Sequence, residues 1–162
     1  MPAKVKAVPK GYRTVTPYLA VQDAARAIEY YKRAFAAQEL MRMQGPDGNI
    51  SHAELKIGDS VIMLGGASDT ALRTPQALGG TSVSIFLYVK DVDSIFKQAL
   101  SAGAKEIQPL ANMFWGDRYG RLADPFGHSW SLATHVEDVA PDEMARRAQE
   151  AMKAARRAQA AG

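Results

Sequence analysis

The chain contains no cysteine, which excludes disulfides, thiolate zinc sites and a cysteine nucleophile together. No apolar run approaches the roughly 20 residues needed to span a bilayer. The opening MPAKVKAVPK has no apolar stretch after its lysines, so a secretory signal is not expected either. Excess charge is scarce too: the net charge is +3 over 162 residues, and it belongs to the ends. Residues 1–13 carry Lys4, Lys6, Lys10 and Arg13, and residues 141–162 carry five basic against three acidic groups. The 127 residues between them hold 11 basic and 14 acidic groups, a slightly acidic body. A nucleic-acid binder concentrates positive charge on its folded face with aromatics interleaved, so that class is set aside. What remains, at 47% hydrophobic and 23% charged residues, is the balance of a globular domain, with the reducing cytoplasm as its expected location.

The sequence repeats once. An apolar stretch over 18–21 passes through Gln22-Asp23 into a helical pattern with Ile28, Tyr31 and Phe35. A second, over 85–89, passes through Lys90-Asp91 into Ile95, Phe96 and Leu100, at an offset of 68 residues. In both places an Asp stands at the helix N-cap and the apolar spacing switches from alternation to about 3.6. The first helix ends in Ala36-Ala37 and the second in Ala102-Gly103-Ala104, where Gly103 suits a C-cap. Three strand-like segments follow each helix, at 40–43, 51–57 and 60–64, then at 107–110, 119–123 and 129–133. Turn residues separate them, among them Gly45-Pro46-Asp47-Gly48-Asn49, Gly58-Asp59 and Asp124-Pro125-Phe126-Gly127.

Each half therefore reads β-α-β-β-β, the fold class is α+β, and two such small units should pack against each other. Residues 1–13 form a basic arm. The modules span 14–66 and 81–135 and are joined by a Gly- and Ser/Thr-bearing linker at 67–80. Residues 136–162 form an alanine-rich helical extension starting at Pro141-Asp142-Glu143. Its apolar side is thin (Met144, Ala148, Ala151, Met152, Ala155), which fits both a helix leaning on another surface and a solvated tail.

Taken in order, Thr16-Pro17-Tyr18-Leu19-Ala20-Val21-Gln22-Asp23, the segment 27–35, the segment 86–92, Gly103-Ala104 and above all Asp124-Pro125-Phe126-Gly127-His128 resemble the vicinal oxygen chelate superfamily of glyoxalases, bleomycin-resistance proteins and dioxygenases. His52-Ala53-Glu54-Leu55 and Trp115-Gly116-Asp117-Arg118-Tyr119-Gly120 look like its PhnB-like branch. The resemblance covers about residues 14–135. It implies two βαβββ modules forming a curved mixed sheet around a cavity, in a homodimer. It also implies a divalent metal held at four cavity positions, one from the first and last strand of each half. Aligned on the Asp after each first strand and the Gly before each last strand, these fall on Thr16, on Ile62 (or Met63, one residue on), on Ser84 and on Ser131. None is a competent ligand for a hard divalent ion, so neither a metal nor another cofactor is expected.

Strand alternation assigns the lining of such a cavity. Leu19, Val21, Ile85, Leu87, Val89, Trp130 and Leu132 face the helices, leaving Tyr18, Ser84, Phe86, Tyr88 and Ser131 on the opposite side. Ala53, Leu55 and Ile57 likewise leave His52, Glu54 and Lys56 opposite. Aromatic walls with a few hydrogen-bonding groups make an ordinary small-molecule pocket. His52 and Glu54 are candidates for a general acid–base pair or a fragment of a relocated metal site, but a cross-strand polar pair is the favoured reading, since no third partner is fixed by the sequence. Trp115 is placed to stack a flat ligand while Asp117 and Arg118 anchor its polar end. The plain alternative has Trp115 sealing the cavity mouth or dimer seam, with Asp117 and Arg118 as an ion pair. His128 and His135 read as capping or surface groups.

Two functions of different class follow. One is a small-molecule-binding protein resembling the bleomycin-resistance type, a homodimer holding a flat or amphipathic ligand without the usual metal. Its ligand contacts are Tyr18, Ser84, Phe86, Tyr88, Trp115, Asp117, Arg118 and Ser131. The other is a glyoxalase-like lyase or isomerase using His52 and Glu54, with or without a relocated divalent ion. Neither nucleic acid nor a membrane is an expected partner.

Overall fold

Asp23 and Asp91 start the two helices that the repeat demands. Asp23 accepts a hydrogen bond from the Arg26 amide at 2.9 Å and Asp91 one from the Ser94 amide at 3.0 Å. Each bond satisfies an amide that the first helical turn leaves without a partner. The structure is a computed structural model describing residues 5–66 and 72–160. In chain order its elements are β1 (Tyr18–Val21), α1 (Ala24–Phe35), β2 (Gln38–Gln44), β3 (Ile50–Ile57), β4 (Ser60–Gly66), α2 (Pro75–Leu78), β5 (Ser84–Tyr88), α3 (Val92–Ala102), β6 (Lys105–Asn112), β7 (Asp117–Ala123), β8 (Ser129–His135) and α4 (Pro141–Ala160). Helices α1 and α3 both end on a left-handed residue, Gly103 at φ 116° and Ala36 at φ 52°. The alanine bears a steric cost there that its counterpart glycine avoids.

The two halves repeat in space as they do in sequence. The first sheet has strand order β1-β4-β3-β2 and the second β5-β8-β7-β6, each with one parallel pair and two antiparallel ones. The expected curved sheet is thus two four-stranded mixed sheets, one to a module. Alternation along the strands sends Leu19, Val21, Ala53, Leu55, Ile62 and Leu64 into the core beneath α1, and Leu122, Trp130 and Leu132 into the same core beneath α3.

That single core explains why the halves stay together. Helices α1 and α3 pack on each other, and the Phe35 and Tyr31 rings of α1 lie 4.6 and 5.4 Å from Trp130. The buried Asp124 ties the arrangement. One carboxylate oxygen accepts from the Tyr31 hydroxyl at 2.7 Å and the Trp130 indole at 2.9 Å. The other accepts from the amides of Phe126 and His128, both at 2.9 Å. The turn expected at Asp124-Pro125-Phe126-Gly127 is therefore also a bolt between modules. His128 adds a second bolt, its Nε2 meeting the Ala20 carbonyl at 2.9 Å. Because the helix sides of both sheets meet inside, the opposite, concave faces turn outward.

The expected linker loop is partly structured. Strand β4 runs to Gly66, residues 67–71 lie outside the described part, and 75–78 form a helical turn. Buried Thr74 caps that turn by accepting from the Ala77 amide at 3.3 Å, and Pro75 presets its first φ. Helix α4 forms as expected, but none of its described residues is buried. Its start is held by Arg147, which binds Glu137 at 2.8 Å and Glu143 at 2.6 Å. Among the described residues no helix is long and apolar enough to cross a membrane.

Candidate functional site

Register places Tyr18, Met63, Glu54 and Met41 in one row across β1-β4-β3-β2. Ile62, one residue away on β4, packs into the core at 3% exposure, so Met63 is the residue of that pair that faces the concave side. Glu54 and His52 join a polar chain here. The Tyr18 hydroxyl donates to His52 Nδ1 at 3.1 Å, and His52 Nε2 donates to Glu54 at 3.3 Å. This assignment puts the ring proton on Nε2, where the carboxylate accepts it. Tyr12, from the N-terminal arm, donates to the other Glu54 oxygen, and the carboxylate beside it raises the Tyr12 pKa. Gly65 leaves room for the chain, since a Cβ there would lie 2.5 Å from the Tyr18 hydroxyl. The polar pair read from the sequence is real, and both ring nitrogens of His52 are engaged.

The concave face of the second sheet is aromatic. Phe86 and Tyr88 on β5 lie 4.9 Å apart, and Phe86 stacks nearly parallel on Tyr119 of β7 at 5.7 Å. Trp115, in the loop before β7, meets Tyr119 edge-on at 5.7 Å. Phe86 and Tyr88 are 46% and 64% exposed, and their strand also borders a cleft of about 840 Å³ shared with Ile57, Asp59 and Ile95. Along the floor, Ser131 lies 3.0 Å from Ser84 and 3.1 Å from the Tyr119 hydroxyl.

Asp117 fixes this wall. Only 2% exposed, it accepts from the Trp115 indole at 2.9 Å, the Tyr88 hydroxyl at 2.9 Å and His135 Nδ1 at 2.8 Å. Burial pushes its carboxyl up, but the bonds from His135, Tyr88 and Trp115 outweigh that and hold it below the usual carboxylate value. His135 Nε2 donates to Asp138 at 2.9 Å. With a carboxylate at each nitrogen, Asp138 foremost, its pKa is raised. The loop is kept close by Gly116, whose carbonyl accepts from the Val136 and Glu137 amides. Gly116 sits at φ 97° against the Glu137 carbonyl, where no side chain fits.

Several expectations for this site are corrected by the geometry. Arg118 does not line the concave face and does not pair with Asp117. Its parity on β7 matches Gly120 and Leu122, on the helix side, and it forms a two-pronged ion pair with Asp93 of α3 at 2.6 Å. Asp117 has its oxygens taken by three side chains, so it holds the aromatics rather than a ligand. The cation that does share a face with Tyr119 and Ser131 is Arg121. The sequence assigns Tyr119 and Arg121 no site role, and His135, expected as a capping or surface group, instead bridges Asp117 and Asp138. Extending strand alternation from Asp117 through Tyr119 to Arg121 would have found the first two. His135 needs its two partners in space.

Eight strands in this order, with this site, define a class. Residues 13–132 match the Glyoxalase/Bleomycin resistance protein/Dioxygenase superfamily, and the chain belongs to that family. Among its relatives is an uncharacterized protein of Mycobacterium tuberculosis strain H37Rv, Rv0887c, 49% identical over 138 residues that cover 80% of this chain and 79% of the relative. Among solved structures, TioX from Micromonospora sp. ML1 superposes with a TM-score of 0.61 at 30% identity, covering 79% of this chain and all of that one (100%). A Bacillus cereus PhnB protein gives a TM-score of 0.56 at 19% identity, covering 75% and 99%, a likeness of fold alone.

The metal that the resemblance implies does not fit the residues present. The four positions carry Thr16, Met63, Ser84 and Ser131, three hydroxyls and a thioether. Thr16 donates to the Arg13 carbonyl at 3.3 Å, and Ser84 and Ser131 bond to each other. A divalent ion in a protein site is held chiefly by charged carboxylates or by imidazoles, and an uncharged hydroxyl or a thioether is a weak substitute for either. His52 and Glu54 offer two such donors, and among the described residues no group of three His, Asp or Glu could hold a metal ion.

Proposed function

We propose that this chain is a cytoplasmic small-molecule-binding protein, close to the PhnB-like branch, that holds a flat, amphipathic ligand against the aromatic wall of its second sheet without metal chelation. The observation that supports it most is the fixing of that wall. Phe86, Tyr88, Tyr119 and Trp115 present stacking surface, and the buried Asp117 holds two of the four rings through hydrogen bonds. Exposing that much apolar surface is costly unless something covers it. A flat ligand gains both burial and offset stacking there. The site lies within one chain, and a second copy is expected beside it: Met41, Met43 and Tyr18 on one concave face and Phe86 and Tyr88 on the other are all exposed, as expected of surfaces that a homodimer covers in part.

The test is calorimetric titration with planar bicyclic aromatics such as 2-naphthoate and 2-naphthamide, with sedimentation to count subunits. Trp115→Ala is expected to weaken binding about tenfold or more, as loss of a central aromatic anchor does, while the melting temperature moves by only a few degrees. A variant that unfolds, or binds like wild type, makes Trp115 a packing residue and removes the wall from the site.

The lyase or isomerase reading has one supporting observation, the chain Tyr18–His52–Glu54. A carboxylate orients an imidazole whose other nitrogen meets a half-exposed phenol, the arrangement of a proton relay. It sits on the first sheet, away from the aromatic wall, so the two readings respond to different substitutions.

A further inference from the structure

Resting on the ligand-binding reading above, we propose that Arg121 is an anion anchor and that the ligand is an aromatic carboxylic acid. Arg121 lies on the concave face of β7, with Ser131 and Gln108 as its cross-strand neighbours and Tyr119 two residues away on the same side. Its Nε is buried and has no hydrogen-bond partner among the described residues. Arg118, the neighbouring cation of the strand, is by contrast fully used by Asp93. Asp117 shares the face but lies four residues along the strand, about 13 Å away at ~3.3 Å per residue, and is occupied by three other donors.

Among the described residues Arg121 makes no ion pair, and with Nε packed against the protein its two terminal nitrogens are the donors left for a ligand. A carboxylate suits that end of the guanidinium, taking both terminal nitrogens side by side. The hydroxyls of Ser131, Ser84 and Tyr119 form a bonded cluster next to it, able to turn a proton toward the same group. From Arg121 to Tyr119 is two residues, about 7 Å along the strand. A ligand whose acid group meets Arg121 thus lays its ring over Tyr119 and Phe86, with Trp115 at its edge. Charge and stacking surface are spaced for one compact molecule.

The experiment compares 2-naphthoate with its neutral isostere 2-naphthamide on wild type, Arg121→Gln and Arg121→Lys, by calorimetry, together with melting curves of the free proteins. Wild type is expected to prefer the acid. Arg121→Gln should lose about tenfold to 100-fold for the acid, the range for charged hydrogen bonds, and little for the amide. Arg121→Lys should fall between, since it keeps the charge but not the fork. Without ligand, Arg121→Gln should melt no lower than wild type. Equal binding of acid and amide, unchanged in Arg121→Gln, overturns the anchor and leaves the aromatic site standing. No binding of either probe to wild type overturns the ligand-binding reading itself. A lower melting point with loss of the dimer assigns Arg121 to an ion pair across the subunit interface and overturns the anchor.

Discussion

Replacing Asp117 by alanine removes one acceptor from three side chains at once. Hydrogen bonds to a charged group contribute about 1.5–3 kcal/mol each, but the losses here are unequal. Tyr88 is 64% exposed and the His135 side chain 51%, so both regain water when the carboxylate goes. The half-buried Trp115 indole regains least. The net cost is about 2–4 kcal/mol, which for a chain of this size lowers the melting temperature by roughly 5–15 °C. Asp117→Asn is a sharper probe. Its carbonyl oxygen can keep the bonds from Tyr88 and Trp115, which share one oxygen of the native carboxylate. Its amide can donate to His135 Nδ1 once that ring is neutral, so the cost falls to about 1 kcal/mol.

The two variants separate geometry from charge. Asp117→Ala should weaken 2-naphthoate binding about as much as Trp115→Ala, because the rings are no longer held, whereas Asp117→Asn should bind within a few-fold of wild type. Melting curves against pH add a sign. His135 is raised above its ordinary 6.5, so its contribution is full below that value and lost as pH rises through the higher folded one. Asp117 is lowered from 3.8, so its contribution is full above that value and lost as pH falls through the lower folded one. The wild-type advantage over Asp117→Asn should therefore peak between pH 3.8 and 6.5 and shrink on the alkaline side. Wild-type affinity in Asp117→Ala would refute the claim that this carboxylate holds the wall. An Asp117→Asn variant as impaired as the alanine one would show that charge, not geometry, is what matters.

Two further outcomes are expected. Asp124→Ala should destabilise by about 3–5 kcal/mol in chemical denaturation, since it strands Tyr31 and Trp130 in the core along with two turn amides. A loss under about 1 kcal/mol would mean that the modules do not depend on that bolt. Glu54→Gln should leave 2-naphthoate affinity within about twofold by calorimetry, because it alters the first sheet's polar chain and not the aromatic wall. A loss beyond tenfold would place both faces in one site.

The fold was legible because its local signals agree. Asp23 and Asp91 mark the same helix start at a fixed offset, and Asp124-Pro125-Phe126-Gly127 has one natural conformation. Alternation also sorted Tyr18, Phe86, Tyr88 and Ser131 from Leu19, Leu87, Trp130 and Leu132 correctly. It failed at Arg118 because β7 begins at Asp117, two residues before the strand expected, and the pairing with Asp93 bridges 25 residues. No local pattern signals that, among the described residues, a long-range partner is present for Arg118 and missing for Arg121. Nor does composition show that one carboxylate gathers Trp115, Tyr88 and His135. Such convergence belongs to the register of β5, β7 and β8. Nor did the repeat reveal that the modules join through their helices, which turns the concave faces outward and leaves the aromatic wall to a ligand and a second subunit.

The central claim is that the aromatic face binds its ligand without a chelated metal. It is tested most directly by titrating 2-naphthoate calorimetrically into protein dialysed against EDTA, and into the same protein resupplied with Mn²⁺ or Zn²⁺. The expected result is one dissociation constant in both conditions, weakened in Trp115→Ala. Binding that appears only with the ion, and survives loss of Trp115, would contradict it.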